Sequence, residues 1–286
     1  MNAIVKQSEA LLRQADSDQQ LIALWFHGRP ATTQRTYQDA VGRLEAFISK
    51  NLNTITLGDL QALVDSLDGL SINSQKRIIN SIKSLFTFGQ KLGYLRFNVA
   101  AALKSPKDAG SLAQRILSED KVLAMIHKTD KKRDQVLIRL LYATGARISE
   151  VCGLTWVDVQ TNGDTGQVTL HGKGGKVRSV KLSPATWEAL QELGAVVIDG
   201  PVFVSQKGGS LDAVQVHRIV KAAAKRAGLG DKVSAHWLRH AHASHALDRG
   251  ANIALVRDTL GHSSLAVTSR YVHARPDQSS ALHLAV

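Results

Sequence analysis

Val168-Thr-Leu-His-Gly-Lys-Gly-Gly-Lys-Val-Arg-Ser-Val-Lys-Leu182 is the stretch on which the fold turns. Elsewhere apolar residues recur every three or four positions. Here Val168 and Leu170 alternate with polar neighbours, and so do Val177, Val180 and Leu182 less strictly. Period two marks a half-buried strand, and the glycine-rich tetrad 172–175 between the two runs reads as a hairpin turn. A small antiparallel sheet inside a helical chain is therefore expected. Lys173 sits at the tip between glycines, where the backbone can approach a ligand closely. A solvated turn lysine has the same appearance.

Working outward, period two holds only between about 155 and 182. Before it, Ser118-Glu119-Asp120 carries N-cap chemistry. Val136, Leu137, Ile138, Leu140 and Leu141 predict a helix over 133–144, Gly145 interrupts, and a short helix follows over 147–154. After it, helices are predicted over 184–193, 211–227, 234–248 and 253–260. The first third reads as helix throughout: 4–15, then 18–27 with Asp16 or Ser17 as cap. The next starts at Thr32 or Thr33, with Tyr37, Val41, Leu44, Phe47 and Ile48 on one face. Thr56 caps a helix that turns Leu57, Leu60, Leu63, Val64 and Leu67 inward. Another runs over 71–88 on Ile78, Ile79, Ile82, Leu85 and Phe86. The polar run 104–111 holds Pro106 and Gly110 and reads as a linker. The expected organisation is a helical domain over 1–107, a linker over 108–115 and a mainly helical domain with a small sheet over 116–286.

The charge narrows the choice of partner. Lys and Arg total 36 against 24 Asp and Glu, a net of +12. The excess is spread, with 13 basic against 8 acidic residues in 1–107 and 23 against 16 in the rest, so both halves can face one polyanion. A single cysteine, Cys152, excludes an internal disulfide and a cysteine zinc site within one chain. The start has no apolar run of signal-peptide length, and no stretch approaches 18 apolar residues. A soluble, cytoplasmic protein without membrane contact is expected.

Four places carry chemistry. Arg147 opens a helix just after Gly145, with Glu150 one turn on and able to pair with it. Lys173 is the second. The third is His236-Trp-Leu-Arg239-His240, whose His236, Arg239 and His240 share one helical face. His236 and His240 have zinc-ligand spacing, but Trp237 stands where a zinc protease has its glutamate, and Arg239 would set a cation beside the metal. No metal is expected. Arginine with histidine instead describes an oxyanion site. The fourth is Leu260-Gly261-His262 with Tyr271 nine residues later. Phosphodiester transesterification uses all four. Two guanidiniums neutralise the phosphoryl oxygens, a phenol attacks phosphorus, and a lysine protonates the leaving oxygen. Arg147, Arg239, Tyr271 and Lys173 supply these groups, and His236 and His262 supply further proton donors.

These stretches resemble the tyrosine recombinase (phage integrase) family, in particular its compact Xer-like members. The likeness rests on 142–156 (Tyr-Ala-Thr-Gly-Ala-Arg-Ile-Ser-Glu-Val-Cys-Gly-Leu-Thr-Trp), on 171–176, on 236–245 and on 260–271, in the family's order. Residues 33–37 match the family's first domain more loosely. The resemblance implies a helical-bundle (SAM-like) DNA-clamping domain followed by a catalytic domain. It assigns Arg147 and Arg239 to the scissile phosphate and Lys173 to the leaving 5′ oxygen. His236 and His262 hydrogen-bond there, Glu150 and His240 support them, and Tyr271 forms a 3′-phosphotyrosine without cofactor. Lys76, Arg77 and Lys83 become candidate duplex contacts. Double-stranded DNA with a specific recombination site and a homo- or hetero-tetramer on it follow, with residues 277–286 free to dock Leu282 and Leu284 on a neighbour. Chromosome-dimer resolution by a nucleoid-associated protein is the leading expectation. A phage, plasmid or transposon integrase, a type IB topoisomerase-like enzyme and a DNA-binding protein with a dead site are the alternatives.

Overall fold

The computed structural model describes residues 15–106, 112–172, 174–195, 197 and 199–272. The chain divides into two compact units, Met1–Ala109 and Gly110–Val286.

Unit 1 is built from α1 (Asp18–Phe26), α2 (Ala31–Phe47), α3 (Leu57–Asp65) and α4 (Ile72–Lys91). Local signals set their starts. The Ser17 hydroxyl accepts from the Gln20 N–H, and Thr56 and Asp59 form a reciprocal capping box. The α2 start lies earlier than Thr32, because the Pro30 carbonyl already accepts from the N–H groups of Thr33 and Gln34. Ile78, Ile79, Ile82, Leu85 and Phe86 line the buried stripe of α4 and meet Leu44 of α2, Leu60 and Leu63 of α3, and Leu21 and Trp25 of α1. Each such side chain, fully buried, contributes roughly 1.5–3 kcal/mol of transfer free energy. Tyr37 stacks on Trp25 with ring centroids 3.7 Å apart. Phe47, expected inward, is 48% exposed. The helix ends there, and the extended backbone at Ile48 turns that side chain into the core instead.

Unit 2 contains α5 (Glu119–His127), α6 (Lys132–Thr144), α7 (Ile148–Cys152), β1 (Val159–Asn162), β2 (Thr165–His171), β3 (Val177–Lys181), α8 (Pro184–Gln191), α9 (Ala213–Arg226), α10 (Ala235–Asp248), α11 (Ile253–Leu260) and α12 (Leu265–Val272). The strands form an antiparallel sheet in the order β1-β2-β3. Val168 pairs with Val180, and Leu170 with Arg178. The sequence showed the β2–β3 hairpin but not β1, whose residues Val-Gln-Thr-Asn form a polar edge with little apolar signal. The core joins Val168, Leu170, Val180 and Leu182 of the sheet side to Val136, Leu137 and Leu141 of α6 and to Val216, Val220 and Leu238 of α9 and α10. Ser118 holds the N-cap position of α5 without a side-chain cap bond. Glu119 and Asp120 in the first turn meet the helix dipole instead.

Among the described residues no helix is long and apolar enough to cross a membrane. Lys173, most of the predicted helix 4–15, residues 108–111 of the linker and the tail 277–286 with Leu282 and Leu284 lie outside the described residues.

Candidate active site

Two helices of unit 2 end at glycines in the left-handed region, Gly145 after α6 (φ 58°) and Gly261 after α11 (φ 62°). Glycine takes this conformation without the Cβ penalty, and each helix end leaves carbonyls unpaired at its negative pole. Guanidiniums occupy them. Arg239 of α10, only 5% exposed, donates from Nη1 to the Gly145 carbonyl and from Nη2 to that of Leu260 at 2.6 Å. Arg147, at the head of α7, donates from Nη2 to the Gly261 carbonyl at 3.3 Å. Arg178 of β3 donates from Nε to the Thr259 carbonyl at 2.6 Å.

One carboxylate sits among the three cations. Glu150 of α7 is 3% exposed and accepts four hydrogen bonds. They come from the Arg147 backbone N–H (2.8 Å), Arg147 Nη1 (2.8 Å), Arg178 Nη1 (2.9 Å) and Arg178 Nη2 (2.7 Å). Burial alone would raise its pKa. The hydrogen bonds, led by those from Arg178 and the Arg147 N–H, outweigh burial and hold it at about 2. Burial and the neighbouring Arg147 pull Arg239 down to about 10, so it stays charged at neutral pH. Three positive charges against one negative leave a site built for an anion. Arg147, Arg178, Lys176, His262, Ser263 and Val267 line an open cavity of about 770 Å³ there, and Arg239 lies recessed behind it.

The histidines supply neutral imidazoles. His262 follows Gly261, and its Nδ1 lies 2.8 Å from the Thr268 hydroxyl. Burial first, then Arg239, Arg147 and Arg178, depress its pKa to about 4. Its ring lies parallel to that of Tyr271, with centroids 6.4 Å apart and planes at 3°. Tyr271 of α12 is 6% exposed, and its hydroxyl lies 2.8 Å from His240 Nδ1 on α10. Burial and the nearby His236 hold His240 at about 4. Burial raises the Tyr271 phenol, while Arg239 and Arg270 draw it down. His236 stands one turn before His240 with an accessible edge, and partial desolvation of its ring, then Arg239, depress its pKa.

The sequence-predicted residues therefore fall in two sets. Arg147, Glu150, His236, Arg239, His240, His262 and Tyr271 gather in unit 2. Gly172, after β2, lies beside them: its N–H donates to the Lys176 carbonyl at 2.6 Å, and a Cβ on it would lie 3.2 Å from Glu150 Oε1. His240 contacts the phenol directly rather than acting from behind another residue. Lys76, Arg77 and Lys83 lie on α4 of unit 1. Arg77 pairs with Asp39 at 3.6 Å, and the Lys83 ammonium donates to the Leu103 carbonyl at 2.8 Å. Sequence reasoning missed Arg178 and Thr268. Alternation along β3 puts Arg178 on the inward face with Val180, and that was its one signal. Among the described residues no group of three or more His, Cys, Asp or Glu is placed to hold a metal.

Comparison with known proteins agrees with this layout. Residues 115–278 match the model of the phage integrase family. The tyrosine recombinase XerC of Corynebacterium efficiens is 36% identical over 259 residues, covering 86% of this chain and 82% of that protein. XerC of Xylella fastidiosa is 33% identical over 259 residues, covering 86% and 87%. Among solved structures, the XerH site-specific recombinase bound to palindromic difH substrate, in a post-cleavage complex, superposes with a TM-score of 0.74 at 25% identity, covering 91% of this chain and 82% of that one. A lambda integrase tetramer bound to a Holliday junction shares the fold, with a TM-score of 0.75 at 18% identity over 96% and 82% of the two chains. The matched segment spans every one of the clustered arginines and histidines together with Tyr271, and by that match and these relatives the chain belongs to the phage integrase family, among its Xer-like tyrosine recombinases.

Proposed function

We propose that this chain cuts and rejoins duplex DNA at a specific site through a 3′-phosphotyrosine, with Tyr271 as nucleophile. The carrying observation is the cluster in unit 2: three guanidiniums around one spoken-for carboxylate, and a phenol that bonds to the His240 imidazole and lies parallel to the His262 ring. As the Tyr271 oxygen attacks phosphorus, its proton passes to His240 Nδ1, which is unprotonated at neutral pH. Arg147 and Arg239 take up the charge that grows on the non-bridging oxygens. Lys173 gives a proton to the departing 5′ oxygen, a contribution on the order of 10²–10⁴ in rate. His236 and His262 hydrogen-bond the phosphate. The phosphotyrosine keeps the energy of the broken ester, so the reverse attack by a 5′ hydroxyl of another strand needs neither ATP nor metal.

The XerH complex with its difH substrate and the XerC relatives support the same act here, on a specific duplex site. In this reading residues 1–107 clamp the duplex, with Lys76, Arg77 and Lys83 among its phosphate contacts, 108–115 link, and 116–286 catalyse. Exchange between two duplexes calls for a tetramer on DNA. The XerC likeness favours chromosome-dimer resolution in the cytoplasm, on the nucleoid, over the integrase of a mobile element.

The test is a nicked suicide substrate that traps the covalent adduct. Wild-type protein is expected to accumulate it and Tyr271→Phe to form none; equal adducts from both refute the assignment. Mapping the sites bound by Tyr271→Phe across the genome separates the biological roles. One site near the replication terminus means resolution, and sites flanking the gene itself mean a mobile element.

A further inference from the structure

We propose that Arg178 is a positioning residue whose fork on Glu150 keeps that carboxylate from neutralising Arg147, so that Arg147 retains its charge for the phosphate. The inference rests on the transesterification reading above. It starts from how one buried anion is divided. Both oxygens of Glu150 meet Arg178 side by side, Nη1 on Oε1 and Nη2 on Oε2, at 2.9 and 2.7 Å. Arg147 reaches Glu150 with only one guanidinium nitrogen, at 2.8 Å, and with its backbone N–H, also at 2.8 Å. Four donors fill the roughly four lone-pair sites of a carboxylate. The exposures follow the same division. The side chains of Glu150 and Arg178 are 1% and 13% exposed, and that of Arg147 is 34% exposed toward the cavity.

Arg178 itself is fixed from three elements. It grows from β3, forks onto α7 through Glu150, and donates from Nε to the Thr259 carbonyl at the end of α11 at 2.6 Å. It also packs closely on Gly261, where a Cβ would lie 3.3 Å from its Nη1. The hairpin of Lys173, the helix of Arg147 and the loop of His262 are thus tied at one guanidinium. The charged groups facing Glu150 are Arg147 at the head of its own helix, Arg178 from β3 and, through its field, Arg239 from α10. With Arg178 gone, the buried carboxylate loses two of four donors and the nearest remaining cation is Arg147. A two-pronged pair with Glu150 would then cancel the charge Arg147 brings to the phosphate.

The experiment measures single-turnover cleavage and duplex affinity of full-length protein on a nicked suicide substrate, from pH 5 to 8. Arg178→Gln is expected to slow cleavage by roughly 10²-fold, the scale of a misplaced catalytic group, with the loss in rate and not in affinity. Two readouts separate charge partition from mere loss of structure. First, the deficit shrinks as pH falls, because Glu150 without its fork protonates at higher pH than before and releases Arg147. Second, adding Glu150→Gln to Arg178→Gln recovers most of the lost rate, since no carboxylate remains to capture Arg147. Arg178→Lys stays impaired, because an ammonium cannot span both oxygens. A deficit that is flat with pH and unchanged in the double variant overturns the inference, as does wild-type cleavage by Arg178→Gln. If Arg178→Gln gives no cooperative melt, Arg178→Lys with and without Glu150→Gln carries the same two outcomes. Tyr271→Phe runs alongside: adducts that persist there sink the transesterification reading itself. Adducts lost there, beside wild-type cleavage by Arg178→Gln, sink only the role of Arg178.

Discussion

Replacing Gly145 by alanine perturbs the backbone that receives Arg239, and its cost can be worked from the structure. Gly145 has φ 58°, and a Cβ built on it would lie 2.5 Å from Leu260 Cδ2 and 3.0 Å from His242 Cδ2. Forcing an L-residue into the left-handed region costs about 1–2 kcal/mol. Overpacking against Leu260, which is itself fully buried, adds roughly 1–3 kcal/mol. The sum, about 2–5 kcal/mol, corresponds to a fall of several to roughly 20 °C in Tm at ~2–4 °C per kcal/mol for a domain of this size. Calorimetry on the full chain reads it directly. Because the Gly145 carbonyl holds one Arg239 nitrogen, adduct formation should also fall in native protein well below the melt. A shift under about 1 °C would refute the claim that this glycine is held in its left-handed turn by Leu260 and His242.

Acid should weaken unit 2 early. His240, His242 and His262 sit at about 4 in the folded protein against an ordinary 6.5, so the unfolded chain binds more protons between those values, and stability falls as pH drops from about 6.5 to 4. Glu150, held at about 2 against an ordinary 4.5, contributes stability that is intact above 4.5 and lost only as pH falls toward 2. Urea midpoints at pH 7.5, 5.5 and 4.5 should therefore decline in order, and His242→Asn should flatten the slope; equal midpoints contradict the burial of these rings. In unit 1, Phe86→Ala should cost about 3–5 kcal/mol in urea unfolding, the usual range for emptying a fully buried aromatic site. Lys76→Ala should lower the log–log salt slope of duplex binding by roughly 0.9 if its ammonium meets one phosphate, and an unchanged slope removes it from the interface.

Legibility from sequence followed how local each determinant is. Gly145 and Gly261 could be read because each stops an apolar run within its own stretch, and the caps at Ser17 and Thr56 are settled within three residues. The Arg147–Glu150 pair follows from helical spacing. The bond from Tyr271 to His240 spans 31 residues and depends on how α12 folds over α10, which no local period encodes. Arg178 was hidden for a different reason. A charged residue in a strand reads as solvent-facing, and its alternation with Val180 gains weight only once the register pairs it with buried Leu170. The edge strand β1 carries too little apolar signal to register, and Phe47 misled because a helix end can hand its core position to the next residue.

Besides the Glu150 carboxylate, the guanidiniums of this site rest on main-chain oxygens of residues 145, 259, 260 and 261. An attachment of that kind is blind to the identity of the residue that offers it. Thr259 can drift to many other amino acids without moving Arg178, whereas one residue inserted or deleted in α11 would displace three of those four oxygens together. Evolution can thus rewrite the chemical surface of this helix freely, provided that it never changes where the helix stops.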